Sequence, residues 1–158
     1  MNECIDYLYA NEVPLENRVP RELIIAQAAI ETGWGKSRFA NEGNNLFGIR
    51  TWNKDVPYLL PIPWTEWPGW GVKVFETKCD SVAHYIRMIN EVFAYQELRE
   101  VRARIINDGG FPTGLDLATL LNDLATENNW KADLAANISG QQAEAHEWTG
   151  SLELPAVS

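Results

Sequence analysis

The 158-residue sequence is poor in the residues that build metal and redox centres, with two cysteines, two histidines and two methionines. Cys4 and Cys79 match no metal-ligand spacing, while His84 and His146 leave few candidates for a histidine-rich centre or a Cys–His nucleophile pair. We therefore expect neither a metal nor a cofactor. The spacing of the cysteines does not decide between a disulfide and free thiols, and of the two we favour buried thiols.

Basic charge and long apolar runs are also scarce. Only 13 lysines and arginines stand against 22 acidic residues, and a net charge of −9 would repel a phosphate backbone, so nucleic acid is not an expected partner. No segment approaches the roughly 18 apolar residues of a membrane span. The N-terminus carries Glu3 and Asp6 rather than a cationic leader. We expect a monomer with no signal peptide and no membrane insertion.

What the sequence does contain is apolar and aromatic residues, since 46% of it is hydrophobic and seven residues are tryptophan. That content is sufficient for one core in a chain of this length. Helical spacing of apolar residues predicts a helix from about Pro20 to Thr32, which Gly33 ends. Glycines and prolines then interrupt residues 41–71, which predicts a loop or short hairpin lobe.

Three more helices are predicted after this lobe. Thr77 and Asp80 resemble a capping box at the start of the first, and Gly109 ends the second. Thr113 and Asp116 can cap the third, whose apolar stripe consists of Leu117, Leu120, Leu121 and Leu124. The pattern predicts a mostly helical domain over residues 1–137 with one irregular lobe. A polar tail follows over residues 138–158.

Glu31 is the first candidate catalytic residue. It lies on the last turn of an otherwise apolar helix, in the string Gln-Ala-Ala-Ile-Glu-Thr-Gly-Trp-Gly of residues 27–35. The negative end of the helix dipole and desolvation by Trp34 would both raise its pKa. A raised carboxyl pKa suits a general acid for glycosidic cleavage. By position alone, an exposed glutamate at a frayed helix end is the alternative interpretation.

Glu66 is the second candidate carboxylate, and its neighbours are aromatic. Five rings fall within nineteen positions of the interrupted segment, namely Trp52, Tyr58, Trp64, Trp67 and Trp70. A segment that is interrupted in this way cannot easily bury all five rings, so some of them should stay exposed. Flat aromatic faces suit the apolar faces of pyranose rings. A small aromatic core beneath a long loop is the alternative.

The segment Glu-Gly-Asn-Asn-Leu-Phe-Gly-Ile of residues 42–49 lies between the two carboxylates in the chain. Adjacent asparagines with flanking glycines are typical of a structural turn, which is the first interpretation. Asn45 and Phe47 of this segment are nevertheless candidates for substrate contact.

Residues 19–40, followed by Gly-Asn-Asn-Leu-Phe-Gly at 43–48, resemble the Bax-type branch of the glucosaminidases, glycoside hydrolase family 73. The similarity keeps its order and spacing to about Leu134. It implies a lysozyme-like α+β fold and hydrolysis of β-1,4 bonds after N-acetylglucosamine in bacterial peptidoglycan. Glu31 matches the family's catalytic acid, and Glu66 in Thr65-Glu66 matches the usual second carboxylate of a mobile lobe. One departure is Leu124, where the family commonly has a cleft tyrosine.

These expectations make the chain a peptidoglycan hydrolase that needs no cofactor and whose partner is the glycan strand. Glu31 would be the general acid and Glu66 the base or electrostatic stabiliser. The candidate substrate-binding residues are Trp34, Asn45, Phe47, Trp64, Trp67 and Trp70. Such a protein acts on the cell wall, in the periplasm, outside the cell or by phage delivery. Two alternatives are a lytic transglycosylase that uses Glu31 alone and a wall-binding module without turnover.

Overall fold

The computed structural model of the chain describes residues 1–121, which form six α-helices and one small antiparallel sheet. The helices are α1 (Asn2–Tyr9), α2 (Arg21–Thr32), α3 (Arg38–Gly43), α4 (Lys78–Glu91), α5 (Gln96–Asn107) and α6 (Gly114–Ala118). Short 3₁₀ turns cover Leu15–Asn17 and Phe93–Tyr95. The strands are β1 (Arg50–Thr51), β2 (Tyr58–Leu59) and β3 (Gly71–Lys73). The mostly helical α+β class expected from the sequence is confirmed.

The ends of the helices follow local chemistry. Pro20 precedes α2, and Gly33 ends it in the left-handed conformation at φ 55°. At the start of α4 the Thr77 hydroxyl accepts from the Asp80 amide at 3.1 Å, and the Asp80 carboxylate accepts from the Thr77 amide at 3.0 Å. These helix boundaries were predicted because every group involved lies within a few residues of the boundary.

Three helical features differ from the sequence prediction. The eight-residue α1 and the six-residue α3 were not predicted, because elements this short carry little periodic signal. The helix that Thr113 caps ends at Ala118, so Leu120 and Leu121 lie beyond it. Leu124 and the boundary between domain and tail at residue 137 fall outside the described residues.

The core is built around α2. Seven of its twelve residues are buried, and they occupy more than one side of the helix. Helix α2 packs on α6, and α4 packs on both α1 and α5. Leu23 and Ile24 of α2 and Tyr85 and Ile89 of α4 are all buried in one cluster of apolar side chains. The burial of α2 fixes the position of its last turn, where Glu31 lies.

The cysteines form a disulfide, so the expectation of two buried thiols is wrong. Cys4 on α1 and Cys79 on α4 are fully buried, with their Cα atoms 5.7 Å apart. That distance lies in the range that a disulfide spans without backbone movement. Their separation of 75 residues gave no local signal, since the pairing depends on the contact between α1 and α4.

The sheet confirms that the interrupted segment is a small lobe. Strand β3 is central and pairs antiparallel with both neighbours, in the order β1-β3-β2. Arg50 lies opposite Val72, and Tyr58 lies opposite Lys73. Among residues 1–121, every helix is too short or too polar to cross a membrane.

Candidate active site

A cleft of about 820 Å³ lies between the end of α2, the small sheet and the region where α4 leads into α5. Glu31, Phe47 and Gly48 line it beside α2, and Arg50, Trp52, Trp70 and Val72 line it from the lobe. His84, Met88 and Tyr95 line the opposite wall. The cleft therefore contains one of the two candidate carboxylates.

Glu31 is half-buried in this cleft, at the last turn of α2. Burial raises its pKa from 4.5 to about 7, and a hydrogen bond from Gln27 acts in the opposite direction. The Gln27 side-chain amide, one helical turn earlier, donates to Oε1 of Glu31 at 3.2 Å. The upward direction predicted for the pKa is confirmed, with desolvation as its main cause. At neutral pH a large fraction of this carboxyl still carries its proton.

The second carboxyl oxygen of Glu31 lies against Gly48. That glycine is exposed, and a Cβ placed on it would lie 3.5 Å from Oε2 of Glu31. Its φ of 63° is a backbone conformation that glycine adopts without the steric penalty of a side chain. The two oxygens of the carboxyl group therefore have different surroundings: Oε1 accepts from Gln27, and Oε2 lies next to a residue that leaves the cleft open.

Asn45 holds the loop that carries Phe47 and Gly48. Its side-chain amide donates to the carbonyls of Ile49 at 2.9 Å and Lys73 at 2.8 Å, and its oxygen accepts from the amides of Phe47 and Ile49. With both side-chain donors and the side-chain acceptor occupied and the residue buried, the Asn45 side chain has no polar atom left for a ligand. The structure thus favours the structural-turn interpretation and gives no support to Asn45 as a substrate contact.

Two buried polar atoms beneath the cleft have no hydrogen-bond partner among the described residues. They are Oε1 of Gln27 and the hydroxyl of Tyr85. Burial raises the pKa of Tyr85 well above its usual range, so the phenol stays neutral, and the negative charge of Glu31 adds to that effect. The Tyr85 ring stacks on Phe47, with centroids 4.2 Å apart. Neither Gln27 nor Tyr85 therefore places a charge beside Glu31.

His84 was considered in the sequence only as a candidate metal ligand or nucleophile partner, yet it lines the cleft from α4. Its pKa is lowered from 6.5 to about 4, mainly by burial and also by the charges of Lys73 and Arg87. The imidazole is therefore neutral above pH 5. Its ring packs edge to face against Phe75 at 5.5 Å. Within residues 1–121 no three side chains of the metal-ligating types are grouped as a metal site.

The aromatic lobe fits both interpretations of its rings. Tyr58 and Trp67 pack edge to face at 4.6 Å, as expected of a small aromatic core. Trp52 and Trp64 are 72% and 54% exposed, as expected of a carbohydrate-binding surface. Trp70 is half-buried and lines the cleft, where the Arg50 guanidinium lies 4.0 Å from its ring centroid.

The structure thus brings some of the predicted site residues together and separates others. Glu31, Phe47 and Trp70 line one cleft. The remaining predicted contacts do not line it, namely Trp34, Asn45, Trp64 and Trp67, and Glu66 is exposed on the lobe outside it. Trp34 follows Gly33 with a φ of 61° and is half-buried.

Sequence reasoning missed Gln27, Gly48 and Arg50. For Gln27 a signal existed, because a polar residue four positions before Glu31 lies on the same helical face. For Arg50 there was none, since its position depends on the pairing of β1 with β3.

Comparison with known proteins gives a consistent result. The family model described as Glucosaminidase, mannosyl-glycoprotein endo-beta-N-acetylglucosaminidase, matches residues 8–143. Protein bax of Escherichia coli K12 is 32% identical over 89 residues, covering 55% of the chain and 30% of that protein. Peptidoglycan hydrolase FlgJ of the same strain is 25% identical over 125 residues, covering 69% of the chain and 40% of FlgJ. The chain thus spans less than half the length of these curated relatives.

A solved structure shares the fold. The crystal structure of a peptidoglycan hydrolase from Sphingomonas sp. A1 superposes with a TM-score of 0.62 at 20% identity. The match covers 96% of the chain and 97% of that structure. At this identity the likeness establishes the fold alone.

Proposed function

The chain belongs to the glucosaminidase family, and from that membership we propose that it hydrolyses the glycan strands of bacterial peptidoglycan, with Glu31 as the general acid. The observation that carries the proposal is a carboxyl group in an open cleft whose pKa lies at about 7. The bond cleaved is the β-1,4 bond after N-acetylglucosamine, in keeping with the family description. The protein would act at the cell wall, in the periplasm, outside the cell or after phage delivery.

The surroundings of Glu31 suit proton donation. Oε1 already accepts from Gln27, so the proton is best placed on Oε2, beside Gly48 and the open cleft. From there it can pass to the glycosidic oxygen as the bond to the leaving sugar breaks. A general acid works best when its pKa lies near the working pH, and the burial of Glu31 achieves that match at neutral pH.

Glu66 is the proposed base or electrostatic stabiliser. Because it is exposed on the lobe outside the cleft, it would contribute only after the lobe closes over the substrate. On this proposal Glu66→Gln lowers the turnover number by about 10²–10⁴-fold, the usual effect of losing a general acid or base.

A lytic transglycosylase is the second candidate, and the position of Glu66 favours it. That reaction needs one carboxyl group, which first donates a proton and then takes one back as the sugar closes on itself. Glu31 meets that requirement alone. Wild-type turnover in Glu66→Gln, together with anhydro-sugar products, would favour this candidate over hydrolysis.

The proposal is tested by digesting purified cell walls with the parent protein, Glu31→Gln and Glu42→Gln. The last variant is the matched control, because Glu42 is an exposed acid on α3 that pairs only with Arg38 among the described residues. We expect the parent and the control to clear the walls and Glu31→Gln to be inactive but folded.

Mass spectrometry of the fragments then separates the candidates. New reducing ends at N-acetylglucosamine support hydrolysis, anhydro-sugars support the transglycosylase, and intact strands retained by the parent support a wall-binding module. If Glu31→Gln clears walls at the parent rate, Glu31 is not the acid.

A further inference from the structure

Arg50 is the one residue with a permanent charge among the described residues that line the cleft. Besides the Tyr95 phenol, the titratable groups there are the Glu31 carboxyl, with a pKa of about 7, and the His84 imidazole, with a pKa of about 4. Both can therefore be uncharged at neutral pH, whereas a guanidinium stays protonated. The positive charge in the described part of the cleft contrasts with the net charge of −9 of the chain.

The guanidinium is held in place without being neutralised. Its Cζ atom lies 4.0 Å from the centroid of the Trp70 ring, which is the distance of a cation–π contact. Its backbone is fixed by the pairing of β1 with β3, where Arg50 lies opposite Val72. The ion pairs within residues 1–121 join Arg21 to Asp6 and Arg38 to Glu42, so Arg50 has no carboxylate partner there. The guanidinium N–H groups of Arg50 likewise have no hydrogen-bond acceptor among these residues.

We propose that the Arg50 guanidinium is an anion-binding element of the cleft that takes a carboxylate carried by the glycan. This inference rests on the proposed function, since in peptidoglycan every second sugar bears an acidic substituent. The planar fork of arginine matches a carboxylate with two parallel hydrogen bonds. The carboxylate has two sources, the lactyl group on the sugar or the peptide stem attached to it. Trp70 beneath the guanidinium would then contact the sugar next to that group.

Binding is measured in the Glu31→Gln background, so that no ligand is cleaved and the result does not depend on turnover. Isothermal titration calorimetry compares three ligands: neutral chitotetraose, glycan strands freed of their stems, which expose the lactyl carboxylate, and strands that keep their stems. Each is titrated into the background protein, Arg50→Gln, Arg50→Lys and Arg104→Gln. Arg104 is exposed on α5 and does not line the cleft, so it controls for the loss of one positive charge.

We expect Arg50→Gln to weaken binding of an acidic glycan by about 10–100-fold, as for the loss of a charge-assisted hydrogen-bond pair. Chitotetraose should change by less than about threefold, and Arg50→Lys should fall between the parent and Arg50→Gln because it keeps the charge but loses the fork. A loss confined to stem-free strands assigns the lactyl carboxylate. A loss confined to strands with stems assigns a carboxylate of the peptide.

Three results overturn the inference. The first is unchanged binding of both acidic glycans in Arg50→Gln. The second is an equal loss for chitotetraose, which would mean that Arg50 only supports Trp70. The third is a background protein that binds no acidic glycan more tightly than chitotetraose. Failure of the proposed function is recognised separately, by the absence of cleavage products in the wall digest of the parent protein.

Discussion

Replacing Glu31 with glutamine should stabilise the folded protein at high pH while it removes the proposed acid. In the native state the pKa of Glu31 is about 7, against 4.5 for the free group. Between these values the native protein keeps a proton that the unfolded chain releases. The stability linked to this proton is therefore complete below pH 4.5 and is lost as the pH rises through 7.

The size of the effect follows from that pKa difference. At about 1.4 kcal/mol for each pKa unit, the rise from 4.5 to about 7 corresponds to about 3–4 kcal/mol once both states are ionised. Glutamine has nearly the same shape and no charge at any pH. The free energy of unfolding of Glu31→Gln should therefore equal that of the parent near pH 4 and exceed it by up to about 3–4 kcal/mol at pH 8.

The contribution of His84 to the free energy of unfolding has the opposite pH dependence, so it must be separated from the contribution of Glu31. Its pKa is about 4 in the native state and 6.5 in the free group, so the unfolded chain binds the extra proton as the pH falls. Stability linked to His84 is present above pH 6.5 and is lost as the pH falls towards 4. Because His84 is the same in both proteins, the difference between Glu31→Gln and the parent isolates Glu31.

The measurement is urea unfolding at pH 4, 5.5, 7 and 8 at constant ionic strength, for the parent, Glu31→Gln and the exposed-acid control Glu42→Gln. The slope of the free energy of unfolding against urea concentration shows whether the unfolded state is comparable across variants. A difference between Glu31→Gln and the parent that does not change with pH would refute the buried-carboxyl argument, whatever the activities are. An equal gain in the free energy of unfolding of Glu42→Gln at pH 8 would also refute it.

Three further outcomes follow from the contacts of the site and core. Gln27→Leu removes the hydrogen bond that lowers the pKa of Glu31. The alkaline limb of the plot of kcat/KM against pH should therefore move up by about one pH unit. An alkaline limb at the same pH as in the parent would contradict a role for that hydrogen bond. Gly48→Ala places a methyl group 3.5 Å from Oε2 of Glu31 at a residue whose φ is 63°. It should lower kcat at least about tenfold and reduce the free energy of unfolding in urea by about 1–2 kcal/mol. A kcat equal to that of the parent would show that the methyl group does not restrict access of the substrate to Glu31. The double variant Cys4→Ala and Cys79→Ala removes a disulfide that joins residues 75 apart, and its free energy of unfolding should fall by about 4 kcal/mol. An unchanged urea midpoint would contradict this prediction.

The parts of the fold that could be predicted are those whose causes are local. Thr77 and Asp80 are three residues apart and cap each other directly, so the start of α4 is visible in the sequence. The disulfide between Cys4 and Cys79 is not visible, because it depends on the packing of α1, a helix too short to predict. The same distinction explains α6, whose capped start was predicted and whose early end was not.

The candidate site follows the same rule. Glu31 and the direction of its pKa could be predicted because its place on a helix end is local, although burial by distant elements sets the value of about 7. Which tryptophans face the cleft could not be predicted. Trp67 and Trp70 are three residues apart, yet one packs on Tyr58 and the other lines the cleft beside Arg50. That difference is set by the pairing of the strands, which composition does not encode.

The two proposals require the cleft to hold an acid that keeps its proton and a cation that attracts an anion. These two requirements conflict if the acid and the cation are close together. A positive charge near Glu31 would favour the carboxylate and lower its pKa. Within the part of the chain that the structure describes, the influences on the pKa of Glu31 are burial and the hydrogen bond from Gln27, and Arg50 is not among them. The guanidinium stacks on Trp70 in the lobe, whereas Glu31 ends α2 in the helical part. On the two proposals, the cation on the lobe would hold an acidic substituent while the desolvated end of α2 keeps Glu31 protonated for transfer.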